Sequence, residues 1–154
     1  VLDSMELTTR KTLDELRAVI LELKPSELEK KGLIKAIHAM LDLSHSLHEI
    51  EFSFHFDYKD DMTANQEMAA FRIVQEAISN IEKHSKANKV IIRIVSDEHK
   101  TNLTIIDNGT GFDIENTKLG FGIMNMKDRS SQSGGKFNII SEEEGTSITV
   151  CWYK

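Results

Sequence analysis

The sequence predicts an α+β fold in which helices cover one face of a mixed β-sheet. Helical and strand-like segments alternate along the 154 residues, but the last strands come in hairpins, which favours α+β over α/β. Seven of the eight glycines follow residue 108. Backbone freedom is therefore concentrated in the C-terminal half, where loops are expected to carry function.

Composition excludes several classes of protein. Nineteen basic and 25 acidic residues give a net charge of −6, which argues against a nucleic-acid-binding protein. The apolar fraction of 40% is too high for a disordered chain, and the single cysteine excludes an intrachain disulfide framework or a Cys-rich zinc site. The longest apolar stretches have the length of a strand, far below the ~20 residues of a membrane span. The chain begins at Val1 rather than Met, so we expect it to be a fragment of a longer protein.

Residues 1–24 form the first predicted helix. Its apolar seam consists of Leu13, Leu16, Ile20 and Leu23. Spacings of three and four place these side chains on one face. Pro25 is expected to end the helix, because the residue before a proline is disfavoured in helical geometry. The seam fits either an amphipathic helix packed on its own domain or one arm of an intermolecular bundle.

Periodicity and turn chemistry predict the remaining elements. Three alternating phenylalanines indicate a half-buried strand, whereas apolar spacings of three and four indicate helices. In chain order, we predict helices at 33–48, 63–84 and 123–131, and strands at 51–57, 89–96, 101–107, 136–141 and 146–153. The glycine pair at 134–135 is expected to end the last helix.

The helix at 63–84 has two faces. The apolar stripe that should face the sheet consists of Phe71, Val74, Ile78 and Ile81. The opposite arc carries Glu76, Asn80, Lys83 and His84. A solvated surface is the simplest interpretation, but the same arc contains Ala69 and Ile73, so we predict that a ligand or a lid covers it. Glu76 and Asn80 offer oxygen ligands from one wall, which suits Mg²⁺, an ion that adds waters and phosphate oxygens to a few protein ligands.

Glycine-containing loops provide the other candidate residues. Asp107 ends a predicted strand and precedes Gly109 and Gly111. An ionised carboxylate only accepts hydrogen bonds and can pair with the exocyclic amine of adenine, although Asp-Asn-Gly is also strong turn chemistry. A Gly-x-Gly at 120–122 precedes a helix whose first amides can meet a phosphate. Thr146 offers a hydroxyl before the last strand, where an ordinary turn is the alternative.

The order of these motifs resembles the nucleotide-binding domain of the GHKL ATPases, and among them the sensor histidine kinases. The chain is most similar to the branch that works with response regulators of the NarL/LuxR type. The signatures of that branch are RIVQEAxxNxxKHSxA, DNGxGF and GxGxxxMxxR, and all three occur here. The stretch LRAVILELKPSELEKKGLIKAI also resembles the junction that follows the dimerisation hairpin in this branch.

The resemblance implies a role for each candidate residue. Asn80 would bind Mg²⁺, and Glu76 would orient or deprotonate the attacking group. Lys83 and His84 would lie near the phosphates or the ribose, and Asp107 would recognise the adenine amine. The other implied nucleotide contacts are Gly109 and Gly111 in the adenine pocket, Gly120, Phe121, Gly122 and Ile123 around the phosphates, and Thr146 on the adenine side. Only eight residues, 112–119, separate the two glycine boxes, so the implied lid is short.

The resemblance also implies an activity. Residues 1–24 would be the C-terminal arm of a dimerisation hairpin, and residues 25–154 a GHKL (Bergerat-type) catalytic domain that binds ATP and Mg²⁺ in the cytoplasm. The γ-phosphoryl group would pass to a histidine upstream of Val1 in a homodimeric parent protein, and then to an aspartate of a NarL/LuxR-type response regulator. His48 imitates the acceptor motif but follows the junction, so it is not expected to be the acceptor. The alternatives are an anti-sigma-type serine/threonine kinase and a non-catalytic dimerising module.

Overall fold

The computed structural model describes residues 25–114 and 120–154, together with Met5, Thr8, Thr9 and Thr12. Five strands form one sheet: β1 Glu51–Asp57, β2 Lys89–Ser96, β3 Lys100–Asp107, β4 Gly135–Glu142 and β5 Gly145–Tyr153. Their order is β1-β2-β3-β5-β4, with β1 parallel to β2 and the other neighbours antiparallel. The predicted mixed sheet with C-terminal hairpins is therefore confirmed.

Helices cover one face of this sheet. They are α1 Pro25–Lys31, α2 Leu33–Leu47, α3 Ala64–Asn80 and α4 Phe121–Gln132. Alternate strand residues are buried, as expected when one side of a sheet faces a core and the other faces water. Opposite them lies the predicted apolar stripe, which is buried throughout: Phe71, Val74 and Ile78 of α3, and Ile81 directly after it. The strand residues of this core are Val90, Ile92, Ile94, Leu103, Ile105, Ile148, Val150 and Trp152.

The long helix differs from its prediction at the C-terminal end. It begins as predicted, because Thr63 caps it: the Thr63 hydroxyl accepts from the Gln66 amide at 3.2 Å, and the Gln66 side chain accepts from the Thr63 amide at 2.9 Å. The prediction of a continuous helix to residue 84 was wrong, since α3 ends at Asn80 and a π-helical turn, Ile81–Ser85, follows. Lys86, in the left-handed region at φ 54°, ends this turn.

The edge strand is less buried than its alternation suggested. Phe52 and Phe54 are partly buried against the core, but Phe56 is half exposed. Phe56 lies near the far end of β1, which is an edge strand with a neighbour on one side only. His38 of α2 covers this end, with its ring 4.8 Å from that of Phe54 and 5.9 Å from that of Phe56.

Helix α4 ends close to the last strand. The helix begins at Phe121, two residues before its predicted start, and Gly134, at φ 78°, reverses the chain after it. Ser133 follows its last turn, and its hydroxyl accepts a hydrogen bond of 2.8 Å from Nε1 of the buried Trp152. This bond ties the end of α4 to the end of β5.

The structure describes four residues of the first predicted helix, all helical and exposed: Met5, Thr8, Thr9 and Thr12. The hydroxyl of Thr9 donates to the Met5 carbonyl at 2.8 Å, and that of Thr12 to the Thr8 carbonyl at 2.9 Å. The seam from Leu13 to Leu23 lies outside the described residues, so its role stays a prediction. Over the part of the chain that is described, no helix combines the length and the apolar character needed to cross a bilayer.

Candidate functional site

A cavity of about 430 Å³ lies between α3, α4 and the inner face of the sheet. Most of its surface is apolar, with a few polar groups, which is the usual character of a small-molecule site. The residues that line it are Ala77, Asn80, Ile81, His84, Ser85, Ile105, Asp107, Gly111, Phe112, Gly120, Gly122, Ile123, Met126, Ile139, Thr146 and Ile148. The cavity thus brings together candidates from four segments that are far apart in the sequence.

Asp107 supplies the carboxylate of the cavity. It is the last residue of β3 and is only 7% exposed. Its Oδ1 accepts from the Gly109 amide at 2.8 Å, and the Thr146 amide of the paired strand also donates to it. Burial raises the pKa of the Asp107 carboxyl above its usual value, against the opposing effect of these two amides. A carboxylate fixed in this way presents a directed hydrogen-bond acceptor in an otherwise apolar cavity.

Gly111 allows the loop after β3 to lie against the turn between β4 and β5. Its φ is 59°, and a Cβ atom at this position would overlap the Glu142 carbonyl oxygen. Any other residue would therefore be strained and would push the loop off the sheet. Gly111 shapes the cavity wall through this close approach of two backbones.

Glu76, Asn80 and Gly122 meet on the opposite wall. A Cβ atom on Gly122 would overlap Oε1 of Glu76 and would lie 3.4 Å from Nδ2 of Asn80. Helix α4 thus rests directly on these two polar side chains, and Ala69 and Ile73 are buried on the same arc. Helices α2 and α4 both pack against α3. Lys83 and His84 of the arc are exposed, so cover by a ligand or a lid stays a prediction.

Other candidates lie outside the cavity lining formed by the described residues. Lys83 is exposed, Gly109 lies behind the lining against the backbone of Ser85, and Phe121 is 88% exposed. Glu76 reaches the cavity only through its contact with Gly122. The predicted lid at 112–119 extends beyond the described residues from position 115 onwards.

Ser141 organises one side of the cavity, although no sequence motif pointed to it. Its hydroxyl oxygen accepts from the Phe112 amide at 2.9 Å and lies 2.8 Å from the hydroxyl oxygen of Thr146. Ser141 thereby joins the loop after β3 to the hydroxyl predicted to serve a ligand. The only available signal was its position two residues after Ile139 on β4, which places both side chains on the inner face.

The donor set around Asn80 suits magnesium better than a metal held by protein alone. Within the described ranges, no group of three or more His, Cys, Asp or Glu side chains could hold a metal ion. Asn80 and Glu76 provide oxygen atoms beside an open cavity, and Mg²⁺ typically takes one or two such ligands plus water and phosphate.

Comparison with known proteins identifies relatives. A family model described as histidine kinase-, DNA gyrase B- and HSP90-like ATPase matches residues 65–154. The chain is 39% identical over 140 residues to the sensor histidine kinase LiaS of Bacillus subtilis (strain 168), covering 89% of this chain and 38% of LiaS. It is 35% identical over 144 residues to the sensor protein VraS of Staphylococcus aureus (strain COL), covering 88% of this chain and 40% of VraS. The chain therefore spans less than half the length of these relatives.

Solved structures show the same fold. The catalytic domain of the histidine kinase ThkA superimposes with a TM-score of 0.65 at 17% identity, covering 79% of this chain and 90% of that domain. The blue-light activated histidine kinase EL346 of Erythrobacter litoralis superimposes with a TM-score of 0.68 at 16% identity, covering 92% of this chain and 49% of that protein. These likenesses support the predicted architecture of a sheet with helices on one face.

Proposed function

Because this chain belongs to the family of histidine kinase-, DNA gyrase B- and HSP90-like ATPases, we propose that its cavity binds ATP and that it is the catalytic part of a two-component sensor histidine kinase. The observation that carries the proposal is the buried carboxylate of Asp107 in an apolar cavity of about 430 Å³. A flat apolar ring fits such a lining, and its exocyclic amine pairs with the carboxylate. Guanine presents a carbonyl at the same position and is repelled.

The phosphates lie at the start of α4 in this proposal. Gly120 is the N-cap residue of that helix, so no side chain at this position accepts a hydrogen bond from the amides of the first turn. Amides at a helix start attract anions, and Gly120, Gly122 and Ile123 line the cavity. The Ile123 amide already donates to the Gly120 carbonyl at 3.2 Å, so the amides before it are the ones we assign to the phosphates. His84 also lines the cavity, and Lys83 precedes it in the sequence.

Magnesium, when bound, neutralises charge on the transferring phosphoryl group. Asn80 would hold it through its amide oxygen, because that side chain lies between the cavity and the start of α4. Glu76, one turn earlier, would orient the attacking nitrogen or accept its proton. Its position beside Gly122 supports this role, since the start of α4 is where we place the γ-phosphate.

The reaction we propose transfers the γ-phosphoryl group of ATP to a histidine nitrogen and releases ADP. The acceptor histidine belongs to the dimerisation domain, whose C-terminal arm we assign to residues 1–24, and the catalytic domain is residues 25–154. The relatives named sensor histidine kinase and sensor protein support this assignment. A response regulator of the NarL/LuxR type would then receive the group on an aspartate, and the parent protein would act as a homodimer.

Calorimetric titration of the chain tests this proposal. ATP and ADP are expected to bind with micromolar or weaker affinity in MgCl₂, and GTP is expected to bind much more weakly. Asn80→Ala should remove the dependence of affinity on Mg²⁺, whereas Asn138→Ala, an exposed substitution on β4, should not. Equal binding of ATP and GTP, or a full Mg²⁺ effect in Asn80→Ala, would contradict the proposal.

A further inference from the structure

The carboxylate of Glu82 links the π-helical turn to helix α2. Its Oε1 accepts a hydrogen bond of 2.5 Å from the Ser44 hydroxyl and lies 3.5 Å from Nε2 of His48. Ser44 is 5% exposed, and the side chain of Glu82 is 14% exposed. This contact joins residues 38 positions apart, and Glu82 is not among the described residues that line the cavity.

The α2 side of this contact is itself well fixed. Ser44 lies in the last turn of α2, and its carbonyl accepts from the His48 amide at 2.9 Å. In the next residue, Nδ1 of His45 lies 2.8 Å from the Ile50 carbonyl oxygen, which fixes the end of α2 to the start of β1. Glu82 is therefore held by a part of the fold that is continuous with the sheet.

The π-helical turn is an uncommon backbone geometry. Hydrogen bonding between residues five apart is rarely stable by itself, and such turns occur frequently at functional sites. This turn follows directly after Asn80 and contains His84, both of which line the cavity. At the end of the turn, the Ser85 hydroxyl donates to the Ile81 carbonyl at 3.1 Å, and the Ser85 carbonyl accepts from the Thr110 amide at 2.8 Å.

We propose that Glu82 is a positioning residue for the nucleotide site. Its bond with Ser44 and its pairing with His48 hold the π-helical turn in the geometry that brings Asn80 and His84 to the cavity. Hydrogen bonds to a charged acceptor are stronger than neutral ones, so one carboxylate can maintain this unusual turn. The inference rests on the proposed nucleotide-binding function and adds to it: the end of α2 influences nucleotide affinity without touching the nucleotide.

The test measures the affinity for ADP in MgCl₂ by calorimetry, at a temperature where each variant of the 154-residue chain is folded. Glu82→Ala and Ser44→Ala should each weaken ADP binding, Glu82→Ala by about tenfold. The double variant should bind no worse than Glu82→Ala, since both changes remove the same contact. Glu82→Gln keeps an oxygen that accepts from Ser44 but loses the charge, so it should bind ADP more tightly than Glu82→Ala and more weakly than the wild type.

Glu98→Ala is the matched control, because Glu98 is exposed in the turn between β2 and β3. It should bind ADP as the wild type does. Variants at Glu82 and Ser44 that lose thermal stability but keep wild-type ADP affinity would show a purely structural role and overturn the inference. Ser44→Ala, which removes a single hydroxyl, decides the question if Glu82→Ala does not fold. A wild-type chain that binds no ADP would instead refute the proposed function, and this inference with it.

Discussion

Replacement of Asp107 by Asn changes the chemistry of the cavity with almost no change in volume. The carboxylate accepts from the Gly109 amide at 2.8 Å and also from the Thr146 amide. If the asparagine oxygen keeps the bond from Gly109, the new amide nitrogen takes the place of the other carboxylate oxygen. The adenine amine would then face a donor instead of an acceptor. A hydrogen bond to a charged acceptor contributes about 1.5–3 kcal/mol. Its loss should weaken ADP binding by about 10- to 150-fold.

The same substitution should change the preference for the base. Inosine diphosphate carries a carbonyl where ADP carries an amine, so Asp107→Asn should bind it better than the wild type does. Titration of both nucleotides into both proteins by calorimetry measures the ratio of affinities. Asp57→Asn, on the exposed end of β1, is the matched control. An unchanged ratio of ADP to inosine diphosphate affinity would refute the reasoning that the carboxylate reads the base.

The difference in folding stability between Asp107→Asn and the wild type depends on pH. Burial raises the pKa of Asp107, so the ionised carboxylate opposes folding at neutral pH. This unfavourable contribution diminishes as the pH falls through the raised pKa, and it is absent below 3.8, the value for the unfolded chain. Asp107→Asn should therefore be at least as stable as the wild type in urea at pH 7. The difference in the free energy of unfolding between the two proteins should disappear in acid. An Asp107→Asn protein clearly less stable than the wild type at pH 7 would contradict the effect attributed to burial.

Two further substitutions test separate parts of the structure. Gly122→Ala places a methyl group on Glu76 and near Asn80, so overpacking of about 1–3 kcal/mol should reduce the Mg²⁺-dependent ADP affinity severalfold in calorimetry. Unchanged affinity would mean that α4 moves away freely. Thr63→Ala removes the acceptor of the Gln66 amide and should lower the free energy of unfolding in urea by about 1 kcal/mol, with ADP affinity unaffected. A drop in affinity would connect the start of α3 to the site.

The elements that sequence reasoning predicted well are those specified by local pattern. The stripe from Phe71 to Ile81 repeats at helical spacing, and the hairpins alternate in polarity around recognisable turns, so burial follows from the sequence alone. Asp107 and Thr146 were placed in one site by the family resemblance, which the order of the motifs supports. Their pairing in neighbouring strands is the physical reason that they meet.

The features that were missed depend on contacts between distant segments. A π-helical turn cannot be read from periodicity, because Glu82 and Ser85 maintain it through partners 38 and 25 residues away, Ser44 and Thr110. The assumption of α-helical spacing to residue 84 placed Lys83 and His84 together, but only His84 is in the lining. Ser141 is assigned to the site by its hydrogen bonds with Phe112 and Thr146, which the sequence does not indicate.

The single indole of this chain gives it a built-in optical reporter. Trp152 is buried, and its ring nitrogen donates to the residue that follows α4, the same helix whose first turn we assign to the phosphates. Emission from this ring depends on the polarity around it and on that one donor bond. The intrinsic fluorescence of Trp152 therefore reports, without an attached dye, whether the C-terminal end of α4 stays packed on β5 when a ligand binds at the N-terminal end of the helix.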